Sequence, residues 1–276
     1  MARTDAGSVT HPDQLPVADE CWTAASAPGT VAGALRAAGK WDWAAPLAID
    51  DHDWWYRCQF RCDAPAGASL DFGGLASLAD VWLNGTHVLS SDNMFLAHHI
   101  EAGNAFKHDN ELIIRFASLT SALAVRRARP RWRTRLVDNQ NLRWIRTTLL
   151  GRIPGWSSAP QTVGPWKRVT RRPGSATRIV SKRVTSRLDN GDGVVSVAVR
   201  VRAAPGTNIT AANVIVGSIE RPAIVRWTDN DFVAHATIRI TDAAIWWPHT
   251  HGDQPLYDAA IRVIADNSEI HLPLGR

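Results

Sequence analysis

Glutamate and lysine are scarce in this sequence of 276 residues, which has five Glu and four Lys against 21 Asp and 27 Arg. Long exposed helices are normally rich in Glu and Lys because both residues favour the helix. A mainly helical protein is therefore disfavoured. Tyrosine is also rare, with two residues, whereas tryptophan is abundant, with 13. An excess of indole rings is typical of β cores and of surfaces that stack on sugar rings.

The sequence also lacks a run of about 18 apolar residues, so it predicts no membrane-spanning helix. Residues 1–20 hold no apolar segment of the kind that a secretory signal needs, and we expect a cytoplasmic location. The cysteines are few and odd in number: Cys21, Cys58 and Cys62. Cys58 and Cys62 lie too far apart along one strand to form a disulfide. We predict that all three are reduced thiols inside a core.

Positive charge is in excess, with a formal net charge of +5. Eight arginines fall between residues 126 and 146, namely Arg126, Arg127, Arg129, Arg131, Arg133, Arg135, Arg143 and Arg146. They form either a strip that binds a polyanion or a solvated loop in which some arginines pair with aspartates or with the partner domain. The solvated loop is favoured, because Trp132 and Trp144 are too few for a base-stacking platform. Nucleic acid is therefore a disfavoured partner.

Short alternating segments, with turn signals about every ten residues, predict an all-β fold. Residues 54–63 alternate as a half-buried strand, and Asn84-Gly85 predicts a tight hairpin turn because both residues tolerate positive φ. One short helix is expected after Thr30, which is the predicted N-cap, with Gly39 as its stop signal. Residues 118–148 break the alternation, and we expect a surface excursion there.

The second half of the sequence has a different texture. Residues 170–177 are polar, contain Pro-Gly and predict a linker. About seven short strands follow over roughly 100 residues, which is the size and spacing of an immunoglobulin-like sandwich. The predicted domains are therefore 1–175, with the excursion 118–148, and 176–276.

Motifs that would indicate catalysis, phosphate binding or metal binding are absent or weak. The sequence has no G-x-S-x-G and no glycine-rich phosphate loop, and His249 and His251 have no third metal ligand nearby. A retaining glycosidase needs two carboxyl groups about 5 Å apart. Asp51, Asp53 and Asp80 have no spacing that singles them out, and Glu111 opens a strand. We therefore predict no catalytic residue, no metal site and no cofactor.

Several motifs nevertheless occur in the order that is typical of one enzyme family. They are PGTVA at 28–32, DWWYR at 53–57, ADVWLNG at 79–85, DNMF at 92–95, NELIIRF at 110–116, GPWKRV at 164–169, IWWP at 245–248 and GDQPLY at 252–257. Together they resemble the N-terminal half of glycoside hydrolase family 2 enzymes, in the β-mannosidase-like branch. Each motif alone is weak, whereas their common order is specific, and the resemblance covers nearly the whole chain.

The resemblance implies a jelly-roll, galactose-binding-like sandwich over 1–175 and an immunoglobulin-like sandwich over 176–276. In the family a catalytic (β/α)₈ barrel follows, and both catalytic glutamates belong to it. The resemblance therefore implies a truncated, non-catalytic portion of a retaining glycosidase, with no activity of its own. The carbohydrate that it implies is a β-linked mannoside, with glucosamine or another equatorial hexoside left open.

The family's GWDWGP turn, which lines the sugar pocket, resembles residues 155–160 here, GWSSAP. Trp156 is kept, while Ser157 stands at the aspartate position and offers a hydroxyl in place of a charged acceptor. Arg152 is a candidate to bind sugar hydroxyls in its place. The alternative for Trp156 is a packing residue between domains.

Two further roles remain open. The first is a stand-alone carbohydrate-binding module, which the jelly-roll fold and the tryptophan count favour. The second concerns Trp246 and Trp247, which we expect to face the barrel together with Trp156. An apolar surface of this kind, left uncovered, favours self-association.

Overall fold

The computed structural model describes residues 1–63, 68–128, 131–173, 177–204, 206–228, 231–266 and 268–276. Within them the chain forms sixteen β-strands and two short α-helices, and every pairing between these strands is antiparallel. The predicted all-β fold is confirmed. The chain divides into two compact units, Met1–Gly174 and Ser175–Arg276.

The first unit contains two sheets and both helices. Its strands are β1 (Ala2–Asp5), β2 (His52–Arg61), β3 (Ser69–Phe72), β4 (Ala79–Leu83), β5 (Thr86–Ser91), β6 (His98–Glu101), β7 (Asp109–Phe116) and β8 (Val169–Arg172). One sheet has the order β1-β2-β7-β4-β5 and the other β6-β3-β8. Side chains from both sheets share one buried cluster, which is the arrangement of a β-sandwich.

Strand β2 shows how the alternating pattern builds this core. Trp54 lies in the cluster between the sheets, together with Phe72 and Phe116. Trp55 points to the other face and stacks on Trp82, with ring centroids 5.7 Å apart. Both faces of this strand are therefore buried over its first half, whereas its second half is exposed except for the partly buried Phe60, so the prediction of one half-buried strand describes neither half.

The local signals for the helix and the hairpin are confirmed. Helix α1 spans Val31–Ala37, and the Thr30 side chain accepts a hydrogen bond from the Gly33 backbone at 3.2 Å. The β4–β5 hairpin turns at Asn84 and Gly85, whose φ angles are +52° and +81°.

The excursion 118–148 has a small core of its own. Helix α2 (Leu119–Ala124) and a 3₁₀ turn (Gln140–Trp144) bring together four buried side chains, namely Leu119, Leu123, Val137 and Leu142. The predicted residue Arg129 lies outside the described residues.

The prediction of three core thiols is wrong for two of them. Cys62 is buried, but Cys21 and Cys58 are exposed. Cys58 shares the period of Trp54 and Tyr56 along β2, yet the second half of this strand passes beyond the packed part of the sandwich. The alternation therefore indicates a face of the strand but not how far the opposing sheet covers it.

The predicted linker 170–177 is only partly a connection. Thr170–Arg172 belong to β8, which pairs with β3, and residues 174–176 lie outside the described residues. Because β8 is an edge strand, it can carry exposed polar side chains and still form a ladder. The polar composition of residues 170–172 therefore led to the prediction of a linker where a strand is present.

The second unit contains eight strands. They are β9 (Arg178–Asp189), β10 (Asp192–Arg202), β11 (Ile209–Val216), β12 (Ile219–Pro222), β13 (Ile224–Thr228), β14 (Asp231–Ile240), β15 (Ala259–Ala265) and β16 (Ser268–Gly275). The two sheets have the orders β13-β14-β10-β9 and β12-β11-β15-β16. Their shared core includes Val199, Phe232 and Ile261, all fully buried. No helix of the described residues is long and apolar enough to cross a membrane.

Candidate functional site

A short β-turn presents Trp156 to solvent in the first unit. Ile153 and Ser157 form an isolated antiparallel bridge, with backbone hydrogen bonds of 3.0 and 2.8 Å. Gly155 lies between them with φ +82°, a conformation that glycine adopts without strain. Trp156 is 84% exposed at this tip. An indole ring this exposed, on a turn held by hydrogen bonds, is unusual for a residue whose role is packing.

Arg152 fixes the base of this turn. Its guanidinium forms a bidentate pair with Asp50, with Nε 2.6 Å and Nη2 2.7 Å from the carboxylate oxygens. It also donates to the carbonyl oxygens of Thr148 and Thr162. The Arg152 and Asp50 side chains are 5% and 12% exposed. Among the five N–H groups of an arginine, these contacts leave one free, so the pair mainly positions the turn.

Ser157 contributes a second internal contact. Its hydroxyl oxygen accepts a hydrogen bond from the Gly151 backbone at 2.8 Å. The O–H of Ser157 has no acceptor within the described residues, so it can donate to a ligand. Ser157 therefore closes the turn with its oxygen and keeps its proton available.

The DNMF motif contacts residues 147 and 148, which lead into the Trp156 turn. The Met94 sulfur accepts hydrogen bonds from the Thr148 backbone at 2.9 Å and from the Thr147 hydroxyl at 3.5 Å, and the Met94 carbonyl oxygen accepts from Trp166 at 2.9 Å. Gly74 is required beside this contact, because an added Cβ would lie 2.6 Å from the Trp166 nitrogen. The motifs at 92–95 and 164–169 thus meet beside Thr148, whose carbonyl oxygen accepts from Arg152 at the base of the turn.

Trp246 and Trp247 lie in the second unit, on the segment between β14 and β15. They are 54% and 49% exposed, and Ile245 and Leu256 beside them are 42% and 59% exposed. The segment is held by its own hydrogen bonds, from Trp247 N to Asp253 O and from the Gln254 amide to Trp247 O, each 2.9 Å. We call these four exposed apolar side chains, which lie on one hydrogen-bonded segment, the apolar patch.

Two of the carboxylates that the sequence raised, Asp51 and Asp53, have structural partners, and so does the Asn110 side chain beside Glu111. Asp53 is buried and accepts from Arg115, the Ser118 backbone and the Gly7 backbone. Asp51 accepts from the Thr120 hydroxyl. Asn110, beside Glu111, bonds the backbone of Lys107 and the Asn84 amide. These contacts assign the side chains to turns and strand ends.

Sequence reasoning missed a small Ser–His–Asp cluster on the β4–β5 hairpin. Ser90 Oγ lies 2.6 Å from Asp80 Oδ1 and 3.2 Å from His87 Nε2. His87 Nε2 also lies 3.2 Å from the same Asp80 oxygen. A hydrolytic triad needs the two histidine nitrogens to contact different partners. Here one nitrogen contacts both, so the geometry is not that of a triad. No group of three metal-ligating side chains occurs within the described part of the chain.

Sequence reasoning also missed a cleft in the excursion. The cleft has a volume of about 330 Å³ and is lined by Trp132, Arg133, Asp138, Asn141, Arg143 and Trp144, among others. Trp132 and Trp144 are 64% and 48% exposed. The sequence placed these residues in one segment, but only the turn at Gln140–Trp144 brings the two rings to one cleft.

Comparison with known proteins identifies the class. Residues 8–167 match the family model described as glycosyl hydrolase 2 galactose-binding domain-like. The match covers more than half of the chain, and the chain therefore belongs to this glycoside hydrolase family 2 group.

Curated relatives are longer proteins. Beta-mannosidase B of Aspergillus oryzae is 28% identical over 237 residues, which are 81% of this chain and 28% of that protein. Beta-mannosidase B of Thermothelomyces thermophilus is 27% identical over 252 residues, which are 80% of this chain and 27% of that protein. The chain thus spans a little over a quarter of the length of these relatives.

Solved structures show the same fold. A β-D-mannosidase from Dictyoglomus thermophilum has a TM-score of 0.70 at 20% identity and matches 94% of this chain and 34% of its own. An exo-chitosanase from Amycolatopsis orientalis has a TM-score of 0.66 at 18% identity and matches 99% of this chain and 32% of its own. At these identities the likeness establishes the fold alone.

Proposed function

We propose that this chain is the non-catalytic, sugar-facing portion of a β-mannosidase-like glycoside hydrolase. In this role its first unit supports and partly lines the active site of a (β/α)₈ barrel that supplies both catalytic carboxylates. The observation that carries the proposal is the ordered turn that displays Trp156 at 84% exposure. The names of the curated relatives support a β-mannoside as the substrate class.

Trp156 and Ser157 are the proposed substrate contacts, and Arg152 is a positioning residue. The indole offers a flat face for a sugar ring, and the Ser157 hydroxyl offers one donor beside it. Arg152 is tied to Asp50 and acts on the sugar through the shape of the turn. A neutral hydroxyl in place of a carboxylate weakens the hold on a sugar that needs a charged acceptor.

The apolar patch of the second unit completes this proposal. Trp246 and Trp247 are proposed to face the barrel, and in its absence they favour association of the chain with itself. Light scattering of the purified chain over a range of concentrations measures this. A mass that stays monomeric at high concentration contradicts the proposed uncovered patch. The cytoplasmic location stays a prediction.

The proposed function is tested with an aryl β-mannoside. The chain alone is expected to release no chromophore above the buffer rate. Addition of a separately expressed barrel of a β-mannosidase-like enzyme is expected to raise the rate. Trp156→Ala is expected to lower that gain in kcat/KM by about tenfold or more. Trp43→Ala, at a tryptophan that is 63% exposed on another loop, is the matched control and is expected to leave the gain unchanged.

The opposite result is equally specific. Turnover by the purified chain alone, abolished when one of its own carboxylates is replaced, contradicts a non-catalytic role. Equal gains with Trp156→Ala and with the unmodified chain contradict the assignment of the turn.

A further inference from the structure

The Trp132–Trp144 cleft is a second candidate site, and its argument does not depend on the proposed function. Its volume of about 330 Å³ lies at the lower end of the range of small-molecule sites, about 300–1,000 Å³. Such a cleft accommodates one or two rings of a longer saccharide. The two indoles are exposed although the excursion has buried leucines of its own, so the rings are not needed to complete that core.

The floor of the cleft is built by side chains that bond the backbone. The Gln140 amide donates to the carbonyl oxygens of Thr134 and Val137, at 2.8 and 3.1 Å, and accepts from the Thr134 backbone at 3.1 Å. The Asn141 amide donates to the carbonyl oxygens of Leu123 and Val125, at 2.8 and 3.1 Å. These contacts fix the turn that carries Arg143 and Trp144 before any ligand binds.

Arg143 is the fixed cation of the cleft. Its Nε and Nη2 donate to the carbonyl and amide oxygens of Gln140, at 2.8 and 2.7 Å, and its Nη1 donates to the Trp132 carbonyl at 3.5 Å. Its guanidinium carbon lies 4.5 Å from the centre of the Trp132 ring. An arginine has five N–H groups, so two remain for a ligand. A carboxylate is the group that accepts such paired donors best.

The surrounding charge favours an anion. Five exposed arginines of the excursion form no ion pair within the described residues: Arg126, Arg127, Arg131, Arg133 and Arg135. Arg133 lines the cleft itself. The positive charge of this segment is therefore uncompensated, and it attracts an anionic ligand to the cleft.

Asp138 distinguishes between anionic ligands. Asp138 lines the same cleft, is exposed, and its carboxylate has no hydrogen-bond or ion-pair partner among the described residues. It repels a chain of closely spaced phosphates, whereas it can accept hydrogen bonds from the many hydroxyl groups of a sugar. The cleft thus combines two stacking rings, donors for a carboxylate and an acceptor for hydroxyls.

We propose that the Trp132–Trp144 cleft binds a carboxylate-bearing saccharide, that is, one that contains a uronic acid. The sugar faces stack on the two indoles, the carboxylate accepts from Arg143 and Arg133, and Asp138 accepts from ring hydroxyls. No bond is made or broken at this site. It is a binding site in addition to the Trp156 turn.

The test is a titration of the full chain with trigalacturonate, followed by calorimetry and by tryptophan fluorescence. The expected result is saturable binding of one molecule per chain. The neutral trisaccharide of the same linkage is expected to bind about tenfold more weakly or worse, because it leaves the donors of Arg143 unpaired. Raised salt is expected to weaken the binding of trigalacturonate but not that of the neutral sugar.

Two variants locate the site, each with a matched control. Trp132→Ala is expected to weaken binding about tenfold or more, and Trp43→Ala, at a ring of equal exposure, to leave it unchanged. Arg133→Gln is expected to weaken binding, and Arg226→Gln, which removes one exposed charge from the second unit, to leave it unchanged. Arg133 makes no hydrogen bond within the described residues, so its replacement keeps the fold intact.

Three results overturn the proposal. One is the absence of heat and of fluorescence change at millimolar trigalacturonate with folded protein. A second is equal affinity for the neutral trisaccharide. A third is evidence for a surface that binds any polyanion. Either of two measurements gives it: the two arginine variants weaken binding equally, or single-stranded DNA binds more tightly than trigalacturonate and Trp132→Ala does not weaken that binding. The third result identifies a diffuse polyanion surface.

Discussion

At the scale of single residues, Arg152 and Asp50 form a buried ion pair at the base of the Trp156 turn. Removing one partner leaves a charge in a place where water has little access. We expect Asp50→Ala to lower the free energy of unfolding by about 3–5 kcal/mol. Thermal or urea unfolding followed by circular dichroism measures the change.

The exposed pair Arg61–Asp109 provides the control for this prediction. Its side chains are 79% and 76% exposed. Asp109→Ala is expected to change the free energy of unfolding by less than about 1 kcal/mol. A loss at Asp50 no larger than the loss at Asp109 contradicts the structural role of the buried pair.

Asp231 gives the second unit a dependence on pH. A hydrogen bond from Arg202 holds the pKa of this carboxyl below its ordinary value, although burial opposes the shift. The unfolded chain therefore binds this proton at higher pH than the folded chain does. The resulting stabilisation is complete above the ordinary pKa of 3.8 and is lost as the pH falls through the lower pKa of the folded state.

We expect Asp231→Asn to reduce the loss of stability on acidification below about pH 4. Urea midpoints measured from neutral pH to pH 2 test this. Asp258→Asn, at a side chain that is 80% exposed, is the control. It is expected to leave the loss of stability below about pH 4 unchanged. If the urea midpoint of Asp231→Asn falls with pH as steeply as that of the unmodified chain, this carboxyl is not the source of the pH dependence.

At the scale of elements, the turn at 151–157 contains two glycines with nearly the same positive φ angle. Gly151 and Gly155 have φ of +80° and +82°. A Cβ at Gly155 meets nothing within 4 Å, whereas a Cβ at Gly151 lies 2.2 Å from the Pro160 carbonyl oxygen. Replacing either residue strains the backbone, but only the change at Gly151 also drives two backbone segments apart.

We expect Gly155→Ala to lower the free energy of unfolding by about 1 kcal/mol. Gly151→Ala is expected to lower it by about 3 kcal/mol or more, because the neighbouring backbone must move. Chemical unfolding of the two variants side by side measures the difference. Equal losses contradict the close packing of Pro160 against Gly151.

Element boundaries show where sequence patterns succeed. The Asn84-Gly85 turn and the Thr30 cap were predictable because each depends on atoms a few residues apart. Strand β8 and the exposure of Cys58 were not. Each depends on which other strand lies beside or above it, and a residue period carries no record of that neighbour.

At the scale of the whole molecule, each unit has its own core. Phe116 is fully buried in the first unit and Phe232 in the second, and the two buried clusters have no residue in common. Removing a buried phenylalanine side chain costs about 3–5 kcal/mol. Each loss is expected to act on the unit that contains the residue.

Calorimetry tests this with a matched pair of variants. Phe116→Ala is expected to lower the melting temperature of one transition, and Phe232→Ala that of the other. A single transition that both variants shift equally shows that the two cores unfold together.

The sequence by itself determined the β class from alternating residues and the hairpin and cap positions from residues a few places apart. It also determined the family, from the order of short motifs along the chain. The tertiary structure decided which side chains meet. Asp50 is far in sequence from Arg152, and their pairing follows from the packing of the 3₁₀ turn Ile49–Asp51 against the segment that carries the Trp156 turn. The convergence of Trp132, Arg143 and Trp144 follows in the same way from one turn over a small core, since a cleft is a property of packed surfaces and not of sequence spacing.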